Sequence, residues 1–247
     1  MNNQQYSPKG FSFLPPVVKN LLIINGLMFL ATITLSTQGI DLVNILGLHY
    51  FSSEKFQVYQ LISHMFMHGG FNHVLFNMFA LWMFGYMLEN VWGSKRFLQY
   101  YIYTGLGAAL IQLLVTYIRI SVLESQMDPA SIETVLRDGL GVLDRGMNYT
   151  NDQMASLNAM INTSMVGASG AVFGILLAFG MMFPNTKLYL YFLFPIKAKY
   201  FVIGYGLVEL IFGIANRPGD HVARFAHLGG MIVGFLLIKL WKRKGVY

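Results

Sequence analysis

The sequence of 247 residues contains no cysteine. That excludes a disulfide framework, a thiol nucleophile and thiolate metal sites. Charge is also scarce: Asp, Glu, Lys and Arg make up 11% of the chain, against roughly 25% in soluble domains. With 55% hydrophobic residues and a mean hydropathy of +0.52, too little polar side chain remains to cover a globule in water. A soluble enzyme and a disordered chain are both excluded. The net charge of +6 does not indicate nucleic acid, because Lys and Arg are scattered and not gathered on one polar element. There is no tandem repeat and no HExxH pattern. What is present, including 15 Met and 20 Phe, suits surfaces that face lipid and indicates a multi-span membrane protein.

The first residues are polar, end in Pro15-Pro16, and lack the charged start and small-residue cleavage site of a signal peptide. Apolar runs predict six spans, at 17–35, 71–91, 97–120, 165–183, 200–215 and 225–240. The last two are short for a hydrocarbon core of about 30 Å. Residues 36–70 form a long first loop rich in aromatics, and 121–164 form another. The latter carries Ile132, Val135, Leu136, Leu140, Leu143, Met154, Leu157 and Ile161 at helical spacing, which predicts amphipathic helices lying on the membrane surface. The expected division is a cytoplasmic tail (1–16), a six-span domain (17–241) with 121–164 as a long outer-loop insertion, and a basic cytoplasmic tail (242–247). If the N-terminus is cytoplasmic, the inner segments hold 11 Lys and Arg, from Lys9 to Lys244. The outer segments then hold 6: Lys55, Arg119, Arg137, Arg145, Arg217 and Arg224. This excess favours both termini inside.

Polar residues in lipid are costly and mark function. Three clusters stand out: His64, His68, His73 and Asn77 leading into span two; Gly167-Ala168-Ser169-Gly170 at the start of span four; and Ala226-His227-Leu228-Gly229-Gly230 at the start of span six. Those three spans run in the same direction, so the clusters share one depth near the outer face. Gly170, Gly174 and Ala178 recur every four residues, as do Gly230 and Gly234 in line with His227. Such small-residue stripes predict close packing of spans four and six, which brings the Ser169 hydroxyl to the His227 imidazole. Serine becomes a nucleophile when a base takes its proton, and histidine is the usual base. The N-terminus of span four supplies unpaired N–H groups for an oxyanion. His73 and Asn77, four residues apart on one helical face, can both donate to the same anion. Phe173, one turn below Ser169, can pack against the imidazole.

These residues together resemble the rhomboid family of intramembrane serine proteases, in its bacterial six-span form. The resemblance covers residues 17–240 and implies an all-α integral membrane bundle of six helices with long first and third outer loops. It implies Ser169 as nucleophile, His227 as general base, and His73, Asn77 and the Ser169 backbone N–H as the oxyanion hole. His64, His68, Gly167, Gly170, Phe173, Gly230 and Gly234 are then supporting residues. Phe173 stands where many members have Tyr, and a Trp-Arg pair common in the family's first loop is missing. The family uses a Ser-His dyad without an acid, in line with the absence of Asp or Glu beside the motifs of spans four and six. The implied substrates are transmembrane proteins, cleaved in or beside their membrane segments, with no cofactor, metal or nucleic acid.

Other readings exist for single residues. His64 and His68, at i and i+4, could ligate a metal, though structural bonding to the first loop fits them better. Glu89 and Asn90 read as a cap or loop tie, and Glu209, within span five, as a hydrogen-bonded structural acid. For the whole chain, the alternatives are an inactive rhomboid-like protein that binds membrane clients and a transporter with a polar path through His73, Asn77 and Glu209. A transporter would call for inverted repeats or broken helices, and the sequence has neither.

Overall fold

The computed structural model describes residues 11–190, 193–215 and 223–243. Lys9, Arg217 and Lys244 of the charge argument, with most of both expected tails, lie outside the described residues. The fold is helical, with six apolar helices: α1 (Pro16–Ser36), α4 (Phe71–Trp92), α5 (Ser94–Glu124), α8 (Ser169–Met182), α9 (Ala198–Ala215) and α10 (Arg224–Arg243). Between them lie α2 (Leu42–Leu46), α3 (Gln60–Ser63), a 3-10 turn (His64–Phe66), α6 (Pro129–Asp144) and α7 (Asp152–Asn162). The connection before α9 is an antiparallel hairpin, β1 (Lys187–Leu190) with β2 (Phe194–Lys197), pairing Lys187 with Lys197 and Leu188 with Ile196. The sequence pattern predicts no strand there.

Five of the apolar helices are long enough to cross a bilayer, which makes this a multi-pass membrane protein. The sixth differs from expectation. The apolar run predicts a span over 165–183, but α8 begins only at Ser169 and has 14 residues, about 21 Å of helix. The residues ahead of it are diverted. Leu48 and Met165 exchange two backbone hydrogen bonds of 2.8 Å, and Gly167 takes a φ of +127°, which no helix accommodates. The helix is buried from Gly170 through Gly180 apart from the half-buried Leu177, against α4, α5, α9 and α10. An all-apolar helix enclosed by others needs no polar face.

The α1–α4 pair shows how a polar residue organises an apolar one. Pro16 opens α1, where its missing N–H costs nothing. The next two amides, Val17 and Val18, donate to the buried Glu89 carboxylate at 2.9 and 2.8 Å, and Ser94 Oγ donates to it at 2.7 Å. Asn90 bonds both the N–H and the carbonyl of Ser12. Glu89 and Asn90 thus tie a loop and a helix start, as their position suggested.

With 31 residues, α5 is about 46 Å long and outreaches the ~30 Å hydrocarbon core. Its far end carries the 121–164 segment, which is folded as α6 and α7. Val135, Leu157 and Ile161 form a small core with Tyr50 and Ile120. Much of the apolar face expected to rest on the membrane surface is therefore spent on α5 and the first loop, although Leu136 stays 55% exposed.

The glycine stripes also pack differently from expectation. A side chain at Gly230 would collide with the Gly170 carbonyl oxygen, so α8 and α10 do touch backbone to backbone there. The other positions face α5: a side chain at Gly170 would meet Ala108, one at Gly174 would lie 2.7 Å from Thr104 Cβ, and one at Gly234 would meet the Tyr100 hydroxyl. Tyr100 then donates to the Gly174 carbonyl at 2.9 Å. The small residues make a three-helix contact among α5, α8 and α10, not a two-helix one.

Candidate active site

Ser169 is the first residue of α8 and His227 lies in the first turn of α10. Because the two backbones meet at Gly170 and Gly230, these side chains converge: His227 Nε2 is 2.9 Å from Ser169 Oγ. Phe173 stacks on the imidazole, with centroids 4.1 Å apart and planes within 6°. Tyr205 of α9 packs against Phe173 as well, with ring centroids 5.0 Å apart. A hydroxyl hydrogen-bonded to an imidazole in a fixed orientation is what nucleophilic acyl transfer uses.

The approach to Ser169 is set by the first loop. Gly167 N–H donates to the His64 carbonyl at 2.9 Å. The buried Gln60 accepts from His49 N and Gln57 N and donates to the Ile45 and Lys55 carbonyls. Its amide closes the loop on itself, and sequence reasoning passed over it. His64 Nδ1 bonds the Gln60 carbonyl at 2.8 Å. His64 and His68 are both buried, and desolvation lowers each from 6.5 to about 4, with His73 adding to the effect at His68. Both are neutral at pH 7. No third ligand joins them among the described residues.

His73 stands over Gly167. An added side chain at Gly167 would lie 2.8 Å from His73 Nε2 and 3.4 Å from Ser169 Oγ. His73 Nδ1 accepts the Gly69 N–H at 3.3 Å, so in the neutral ring Nε2 carries the hydrogen, on the side facing Ser169. Asn77 is buried and gives one amide hydrogen to the His73 carbonyl at 2.9 Å, which leaves its second free to donate. The first amides of α8 have no carbonyl one turn back to receive them. A narrow cleft with room for about one water molecule opens here, with His64, Gly167, Ser169, Gly170 and Ala226 in its wall.

One expectation fails. An acid does stand beside the motifs: Glu209 of α9, 3% exposed, places Oε2 at 3.1 Å from His227 Nδ1 and 3.5 Å from Arg224 Nη1. The first contact is short but lies off the axis of the Nδ1–H, so Nδ1 has no aligned hydrogen bond among the described residues. Sequence spacing does not reveal which face of span five meets span six, and an intramembrane carboxylate was the only available signal.

Comparison with known proteins matches the Rhomboid domain family at residues 55–122 and 140–244, more than half of the chain. Among relatives, the rhomboid protease AarA of Providencia stuartii is 27% identical over 177 residues, 70% of this chain and 52% of the relative. The mitochondrial RHOMBOID-like protein 12 of Arabidopsis thaliana is 26% identical over 220 residues, 88% of this chain and 56% of the relative. The mitochondrial rhomboid protein 1 of Saccharomyces cerevisiae is 29% identical over 179 residues, 71% of this chain and 40% of the relative. The matched regions thus span about half the length of these relatives or less. With two matched stretches that together take in the loop before Ser169 and all of α8 and α10, the chain belongs to the rhomboid family.

Proposed function

We propose that the protein is an intramembrane serine endopeptidase that hydrolyses peptide bonds in or next to transmembrane segments of other membrane proteins. The observation that carries this reading is the 2.9 Å contact between Ser169 Oγ and His227 Nε2 at the mouth of a cleft. In the reaction, Ser169 Oγ attacks the substrate carbonyl as His227 Nε2 takes its proton. The oxyanion forms between the Ser169 backbone N–H, His73 Nε2–H and Asn77 Nδ2–H. Collapse expels the amine, protonated by His227, and water then releases the acyl group by the same path. The first-loop and α8 geometry supports access of water to the serine, since Ser169 and His64 both reach the wall of the cleft inside an otherwise apolar bundle. The loop charge bias supports both termini in the cytoplasm and a site opening to the outer face.

The test is labelling and cleavage together. Purified protein should react with a fluorophosphonate probe and cut a panel of transmembrane peptides. Ser169→Ala and His227→Ala should each abolish both activities, and the double variant should be no worse than either single one, because the pair acts as a unit. Wild-type turnover in Ser169→Ala would sink the mechanism. A wild-type protein that binds the peptides but neither cuts nor labels would be the inactive client-binding form.

A further inference from the structure

We infer that Glu209 is a positioning residue for His227, so that the reacting pair is completed by a buried carboxylate from a third helix. This rests on the serine-peptidase reading above and goes beyond the acid-free dyad that the sequence suggested. The two ring nitrogens of His227 have separate tasks. For Nε2 to accept the Ser169 proton, the ring hydrogen must sit on Nδ1. Nδ1 is sealed from solvent and has no aligned acceptor among the described residues. A carboxylate oxygen lies 3.1 Å away. The terminal torsion of a glutamate is broad and soft, so a small rotation of the carboxylate brings the oxygen onto the Nδ1–H axis.

The restraints on the ring are complementary. Phe173 lies flat on the imidazole and prevents tilting, but a stacked face does not stop the ring from turning in its own plane. An acceptor at Nδ1 supplies that second restraint, and it selects the tautomer that leaves Nε2 free to act as base. Tyr205, one turn before Glu209 on α9, packs against Phe173, so one face of α9 supports both restraints. Arg224 Nη1, 3.5 Å from the same oxygen, holds the carboxylate from the α10 side. During attack, the Ser169 proton moves to Nε2. The Nδ1 hydrogen stays where it is, and the Glu209 charge faces the imidazolium that forms. No proton passes to Glu209.

The experiment compares full-length wild type, Glu209→Gln and Glu209→Asp in detergent micelles. Three quantities are read: the rate of fluorophosphonate labelling, kcat and KM on a transmembrane peptide, and thermal unfolding. Glu209→Gln keeps the shape and removes the charge. It should lower kcat and the labelling rate together, on the order of 100-fold, with KM within about twofold. Glu209→Asp should recover part of both. Labelling and kcat at wild-type values in folded Glu209→Gln would overturn the inference and leave the peptidase reading standing. A loss that merely tracks the unfolded fraction, with no recovery in Glu209→Asp, would reduce Glu209 to a tie between helices and overturn it as well. A folded wild type that neither labels nor cleaves would overturn both readings.

Discussion

Gly167 meets two demands at one residue. Its φ of +127° is a conformation that other residues adopt only under strain, and the space beside it is filled by His73 Nε2. Alanine there strains the backbone by about 1–3 kcal/mol and pushes His73 away from the serine. Gly167→Ala should therefore lose on the order of 100-fold in kcat while remaining folded, measured as turnover against the fraction folded. Asn77 tests the anion site. Removing one oxyanion donor costs roughly 3–4 kcal/mol in soluble serine proteases, and Asn77→Ala should lower kcat far more than it raises KM. A pure KM effect would make Asn77 a substrate-binding residue instead. As candidates, Ser169, His227, His73 and Asn77 were legible in the sequence because the proposed chemistry is carried by residue type at fixed spacing. Glu209 was visible only as a suspicious acid. Its nearness to His227 depends on how α9 and α10 meet, and neither stretch of sequence encodes that alone.

At the scale of the element, the α8–α10 contact is the critical one. Gly230→Val would drive a branched side chain into the Gly170 carbonyl and separate Ser169 from His227, a shift for which 1 Å is enough to cost about 100-fold. Cleavage should collapse in Gly230→Val, while Leu236→Val, at a residue of α10 that is 53% exposed, should be nearly silent. Equal activity in the two would mean that the backbones do not touch at Gly230. Gly174→Val should act differently, because its added atoms meet Thr104 of α5: stability falls first, and the Ser169–His227 pair is disturbed only indirectly. The sequence announced close packing through the small-residue spacing, yet a stripe does not name its partner, and α5 proved to take most of it. The length of α8 was hidden for a similar reason. Residues 165–168 are nearly as apolar as the helix they lead into, and the bridge from Leu48 to Met165 and the backbone of Gly167 show that they belong to the loop.

For the molecule as a whole, acid should be destabilising well before its carboxylates titrate. His64 and His68 have folded values near 4 against 6.5 when free. Between those values the unfolded chain binds protons that the folded chain does not, so stability is full above about pH 6.5 and falls as pH drops toward 4. Each histidine can contribute on the order of 3 kcal/mol to that loss. The unfolding temperature should drop steadily from pH 7 to pH 4.5, and a flat profile would mean that neither ring is buried as a neutral base. The same enclosure bears on how the chain can change over time. With α8 sealed by four neighbouring helices, a substitution on it, or on the faces of α5 and α10 turned toward it, needs a matching change elsewhere. Leu27, Leu30, Ile211 and Ile214 on the outer faces of α1 and α9 are 61–70% exposed and need only remain apolar. Tolerance to mutation should then depend on radius from the α8 axis and not on position along the chain: innovation gathers at the lipid-facing rim, while the centre drifts only in coordinated pairs.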